Sequence, residues 1–123
     1  MDINKDLVAA SATPLILAII AEGETYGYAI LKRVGDLSEG KLRWTDGMLY
    51  PVLHRLERQG LIHSRWGSSE TGRRRRYYRI TAEGQTQLDV QRAQWTTVDA
   101  ALRNIWSAML QPTNAPLSAA PQA

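Results

Sequence analysis

Thr45-Asp46-Gly47-Met48-Leu49-Tyr50, and further along Arg73-Arg74-Arg75-Arg76-Tyr77-Tyr78, are the stretches on which the reading of this chain turns. The first has the chemistry of a helix start, because the Thr45 hydroxyl can accept from the open N–H groups of the first turn. Leu49, Val52, Leu53 and Leu56 then fall on one side of that helix, and Gly60 is a natural stop. The other side presents Gly47, Tyr50, Pro51, His54, Arg55 and Arg58. Pro51 is awkward, since an interior proline costs ~3 kcal/mol, so the helix either begins late or bends there.

Working outward, Leu61 to Trp66 reads as a strand, Gly67 to Gly72 as a turn and Arg73 to Ile80 as the return strand. On the return strand Arg74, Arg76, Tyr78 and Ile80 face one way, while Arg73, Arg75, Tyr77 and Arg79 face the other. A helix followed directly by a basic hairpin is the order in which a winged helix meets DNA.

Upstream, Pro14 can sit in the first turn of a helix that carries Leu15, Ile16, Leu17, Ile19 and Ile20 and ends at Glu22-Gly23-Glu24. Residues before it, with Leu7 and Ala10 three apart, form a weak stripe that suits a separate short arm. Thr25 could cap the next helix, in which Ile30, Leu31, Val34 and Leu37 recur. Leu42 and Trp44 alternate with Lys41 and Arg43, a short extended piece that could add a small strand. Downstream, Thr81 caps a long last helix on which Leu88, Trp95, Val98, Leu102, Ile105 and Met109 are spaced 7, 3, 4, 3 and 4. That seam suits a partner chain.

The expected fold is mainly α with a small β-hairpin: a winged helix-turn-helix plus a long C-terminal dimerisation helix. The divisions are an N-terminal helical arm over 1–13, the DNA-binding domain over 14–81, the dimerisation helix over 82–110 and a disordered tail over 111–123 that is rich in Pro, Ala, Ser and Gln.

Composition narrows the function. A chain of 123 residues with 44% hydrophobic content suits one compact domain and an extra helix. The absence of cysteine suits a reducing cytoplasm, and no apolar run approaches the ~20 residues of a membrane span. No targeting segment is apparent. His54 and His63 are the only histidines, with no catalytic triad or metal spacing around them, so neither an enzyme nor a metal or other cofactor is expected. The net charge is +3, yet from Lys32 to Arg79 there are 12 Lys and Arg against 5 Asp and Glu, a local +7. A segregated positive field attracts polyanions by counterion release.

Four blocks in order carry a family likeness: Tyr26-Gly27-Tyr28-Ala29-Ile30, then Gly47 to Glu57, then Gly60-Leu61-Ile62, then Tyr77 to Gly84. Together they resemble the PadR family of bacterial transcriptional repressors, over roughly Pro14 to Gly84. The last helix resembles that of the compact branch with a single C-terminal dimerisation helix. The resemblance implies a homodimer that represses transcription and responds to small aromatic or drug-like molecules.

On this reading the partners are double-stranded DNA and a second copy of the chain, with no membrane. Tyr50, His54 and Arg55 are assigned to base or phosphate contacts, with Thr45, Asp46, Gly47, Met48 and Pro51 beside them at the helix start. Arg73, Arg74, Arg75 and Arg76 form the wing, and Lys32 extends the basic surface. Two facing Trp95 rings would make a slot for a flat aromatic or cationic effector, flanked by Val98 and Asp99, with Leu7, Ala10 and Pro14 as its rim. The competing reading is a winged helix used only for protein contact.

Overall fold

In the computed structural model, which describes residues 2–111, the elements are α1 (Lys5–Ala21), β1 (Thr25–Tyr26), α2 (Gly27–Leu37), α3 (Asp46–Arg58), β2 (Ile62–Ser68), β3 (Arg74–Ile80) and α4 (Ala82–Leu110). They divide into two compact units, Met1–Val90 and Gln91–Ala123. The tail expected to be disordered lies, from residue 112 onward, outside the described residues.

The first unit is built around one apolar core. Ile16, Leu17 and Ile20 of α1, Ile30 and Val34 of α2, and Leu49, Leu53 and Leu56 of α3 are essentially sealed from solvent, with Tyr78 of β3 among them. The helical spacing read from the sequence is the spacing of the core, except at Leu37, which shares the spacing of Ile30, Leu31 and Val34 but lies exposed at the end of α2, past the reach of the core.

The N-terminal arm is not a separate helix. Asn4 caps α1 by accepting from the Asp6 N–H at 2.8 Å, and the helix runs unbroken through Pro14. The proline leaves the Ala10 carbonyl without its helical donor, but Ala10 is exposed and water can replace it. The cost of ~3 kcal/mol is offset downstream by Ile16, Leu17, Ile19 and Ile20, whose burial contributes ~1.5–3 kcal/mol each. Pro51 is accommodated in the same way: α3 begins at Asp46, so the proline sits in its second turn and deprives only the exposed Gly47 carbonyl.

The sheet has three antiparallel strands in the order β1-β3-β2. Its third strand is not the Leu42 to Trp44 segment, which has no strand pairing and is instead held where the Ser38 hydroxyl accepts from the Leu42 N–H at 2.9 Å. Thr25 and Tyr26 supply it, pairing with Tyr78 and Tyr77. Thr25 is thus a strand residue, and α2 starts after Tyr26 with no side-chain cap. The hairpin turn is tighter than Gly67 to Gly72, because Gly67 and Ser68 still pair with Arg75 and Arg74. It closes over Ser69 to Arg73, with Gly72 in the left-handed region at φ 82°.

Two motifs join α3 to the hairpin and to α4. The Gly60 N–H donates to the Glu57 carbonyl at 3.0 Å and the Leu61 N–H to the Leu56 carbonyl at 2.9 Å, the paired bonds of a left-handed helix stop at Gly60. Thr81 then caps α4 by accepting from the Gly84 N–H at 3.0 Å, while its hydroxyl donates to the Gly60 carbonyl at 2.6 Å. The hairpin begins and ends against the same point of α3.

Candidate nucleic-acid interface

The Thr45 hydroxyl accepts from the Met48 N–H at 3.3 Å, which fixes the start of α3 as its sequence suggested. With Leu49, Val52, Leu53 and Leu56 turned into the core, the outward face carries Gly47, Pro51, His54 and Arg58, all exposed. Successive helical residues are rotated by about 100°. The flanks of that face therefore look toward different neighbours.

One flank faces the hairpin. Tyr50 and His54 lie together there, their rings 6.4 Å apart, in a groove that also includes Asp46, Tyr26, Gly27 and Tyr28, and the arginines Arg73, Arg74, Arg75 and Arg76. Tyr50 is only partly exposed, and its hydroxyl rests so close to Gly27 that a Cβ there would overlap it. Beneath it Tyr78 is buried, and that burial, with Tyr50 close by, pushes its phenol above the ordinary value.

The other flank faces α1. Arg55, expected on the nucleic-acid side, instead donates to the Thr13 hydroxyl at 2.6 Å. Met48 lies on that flank too, sharing a second groove with Trp44, Val52 and Arg55. The structure thus brings Tyr50, His54, Asp46 and the wing arginines together and takes Arg55 and Met48 away from them. The physical reason is angular: Arg55 follows His54 by one residue and so turns onto the next side of the helix. Thr45 is exposed at the helix start, and Lys32 is exposed on α2, paired to Asp36 at 3.2 Å.

Three of the four wing arginines are held on aromatic rings. Arg75 stacks over Tyr26 at 4.0 Å from the ring centre, and Arg74 and Arg76 approach Trp66 at 4.7 and 5.4 Å. Arg65, which forms a two-pronged pair with Glu24 at 2.8 and 2.9 Å, lies over Tyr77 at 4.9 Å. These distances lie inside the ~6 Å range of cation–π attraction. Tyr26, Tyr28 and Trp66 were not among the residues expected here. For Trp66 the signal in the sequence was a large aromatic close to the turn of a basic hairpin, directly before Gly67.

Glu57 ties α3 to both strands of the hairpin. One of its carboxylate oxygens accepts from the Ser64 hydroxyl at 2.6 Å, and the other lies 3.8 Å from the Arg76 guanidinium. Elsewhere Arg33 pairs with Glu22 at 2.5 Å, holding that carboxyl below the usual range, as Arg65 does for Glu24.

In the C-terminal unit, Val98, Leu102, Ile105 and Met109 are exposed on the single chain, and Trp106 joins them. Trp95 is half-buried. Leu88 does not belong to the seam: it packs into the core of the first unit, because the start of α4 is covered by that core. Asp99 is not a free anion, since Arg103 one turn on donates to it at 2.7 Å. Leu7, Ala10 and Pro14 lie on α1 in the other unit, Leu7 and Ala10 exposed and Pro14 half-buried.

Among the described residues no cluster of three His, Asp or Glu side chains could hold a metal, and no helix is long and apolar enough to cross a membrane. Solved relatives share the fold. A transcriptional regulator from Clostridium thermocellum is 31% identical with a TM-score of 0.74, covering 83% of this chain and 96% of that one. A PadR-like transcriptional regulator from Bacillus cereus is 27% identical, also with a TM-score of 0.74, covering 83% and 97%. The transcriptional regulator Rv3488 of Mycobacterium tuberculosis is 40% identical over 73 residues, which are 59% of this chain and 64% of that protein. The family described as transcriptional regulator PadR-like matches residues 16–90. With the helix, the hairpin and the four sequence blocks in that span, the chain belongs to the PadR-like family of transcriptional regulators, proteins that regulate and do not catalyse.

Proposed function

We propose that this chain is a cytoplasmic, homodimeric repressor that reads a pseudo-palindromic operator with α3 and the β2–β3 wing. The observation that carries the reading is the groove shared by Tyr50, His54 and Arg73 to Arg76. The outward face of α3 enters the major groove, with Tyr50 and His54 toward base edges or phosphates, and the wing arginines follow the backbone. The exposed seam from Val98 to Met109 pairs two copies, so that their α3 helices meet half-sites ~34–36 Å apart. A flat aromatic effector between two facing Trp95 rings would alter that separation and release the operator. The Asp99–Arg103 pair makes a cation a poorer fit there than a neutral ring.

The test is selection of duplexes from a random pool by the purified protein, followed by affinity against salt. An inverted repeat is expected, with affinity falling steeply as salt rises. Converting Arg73 to Arg76 to Gln lowers affinity for all sequences and reduces the salt slope by ~1 for each phosphate no longer neutralised. Leu102→Asp with Ile105→Asp yields monomers in sedimentation. Weak, salt-insensitive binding with no recovered motif would turn the basic groove over to a protein partner.

A further inference from the structure

Trp66 is 53% exposed and contributes nothing to the core, yet it is a large ring held on a strand. Its neighbours explain it. It sits directly across from Arg76 in the β2–β3 register, and Arg74, two residues along β3, projects from the same face of the sheet. Both guanidiniums lie over the one indole, at 4.7 and 5.4 Å from its centre. Arg73, at the turn, has neither a ring nor a carboxylate partner among the described residues, so the same hairpin carries both held and unheld arginines.

We propose that Trp66 is a positioning residue of the wing, holding Arg74 and Arg76 side by side in the pose in which they meet the nucleic-acid backbone. The proposal rests on the DNA-binding reading above and adds a residue to it. An arginine has many rotamers, and two of them placed two residues apart on one face of a strand repel each other. The indole's negative faces counter that repulsion and restrict both side chains before any ligand arrives. Ordering already present in the free protein does not have to be created on binding. Glu57 contributes less to this ordering, since it reaches only Arg76, at 3.8 Å.

Trp66→Leu keeps an apolar side chain and removes the ring's quadrupole, while Trp66→Tyr keeps a ring. On a duplex bound by wild type at fixed salt, Trp66→Leu is expected to bind roughly fivefold more weakly, with Trp66→Tyr recovering most of the loss. In an Arg74→Gln, Arg76→Gln background, Trp66→Leu should have no further effect, because a positioning residue acts only through the groups it positions. A loss of the same size in that background would mean that Trp66 supports the fold or touches DNA itself, and would overturn the proposal. So would wild-type affinity in Trp66→Leu. A second readout needs no DNA: side-chain Nε–Hε order parameters in the free protein should be higher for Arg74 and Arg76 than for Arg73, and fall to its level in Trp66→Leu. Equal mobility of all three in wild type refutes the positioning. If no duplex is bound at all, the DNA reading fails while the order parameters still decide what Trp66 does.

Discussion

Gly84 and Gly35 both lie inside helices, and the structure gives them opposite responses to the same substitution. A Cβ on Gly84 would overlap the Leu61 carbonyl oxygen and lie 2.6 Å from Cγ1 of Ile80. The Leu61 carbonyl cannot easily retreat, because it accepts from the Thr81 N–H at 3.0 Å, where the hairpin closes. Alanine gains ~1 kcal/mol of helix propensity over glycine, but forcing a methyl into a closed contact costs ~1–3 kcal/mol and here meets backbone. Gly84→Ala is therefore expected to lose ~1–2 kcal/mol, which for a domain of this size lowers Tm by ~5–15 °C. At Gly35 a Cβ has nothing within 4 Å, so Gly35→Ala should gain ~0.5–1 kcal/mol. Thermal and urea denaturation followed by circular dichroism, at one fixed protein concentration, measure both. Equal or greater stability in Gly84→Ala would refute the close packing of α4 on the hairpin base.

Three other expectations are smaller in scope. Gly27→Ala should disturb Tyr50, whose hydroxyl occupies the space of the new methyl, at a cost of ~1–2 kcal/mol, and Tyr50→Phe should restore much of it; additive losses in the double variant, read by urea denaturation, would contradict that packing. Glu39, two residues past the end of α2 and in the left-handed region at φ 55°, should give ~0.5–1 kcal/mol of stability on replacement by glycine, seen as a higher Tm. The carboxyls of Glu22 and Glu24 are held below the usual range by hydrogen bonds from Arg33 and Arg65, so their contribution is present at neutral pH and lost as pH falls through their lowered values. Replacing both with Gln should flatten the acid side of the stability curve below about pH 4.5, and parallel curves would show that the pairs add nothing.

Much of this arrangement is legible in the sequence, where local chemistry and packing agree. Thr45, Gly60 and Thr81 mark helix ends by capping chemistry that depends on neighbours a few residues away. The core face of α3 follows from spacing alone, and so does that of α2 up to Val34. What the sequence concealed was decided by distant partners. A strand of two residues has no periodicity, so Thr25 and Tyr26 are recognisable only once β3 lies beside them. Pro14 resembles a helix start until the burial beyond it outweighs its cost. Arg55 differs from His54 only in which neighbour its side of α3 meets. Leu88 continues a seven-residue spacing into a core that the spacing cannot reveal.

The same dependence on partners makes α3 and the hairpin a single packed unit. Glu57 of the helix holds Ser64 of β2 and approaches Arg76 of β3, Tyr50 of the helix lies against Gly27 at the start of α2, and Thr81 bonds the Gly60 carbonyl where α3 ends. Moving the wing relative to α3 would break a charge-assisted hydrogen bond and uncover Tyr78, whose ring is almost wholly buried. A signal that altered DNA affinity by distorting this unit would have to overcome those interactions together. In the C-terminal unit, by contrast, Val98, Leu102, Ile105 and Met109 are exposed on the single chain. Under the proposed dimeric reading, a ligand held between two copies at that seam acts on the spacing of their α3 helices and leaves the ties within each first unit intact, so it needs only a modest differential affinity for one spacing over another.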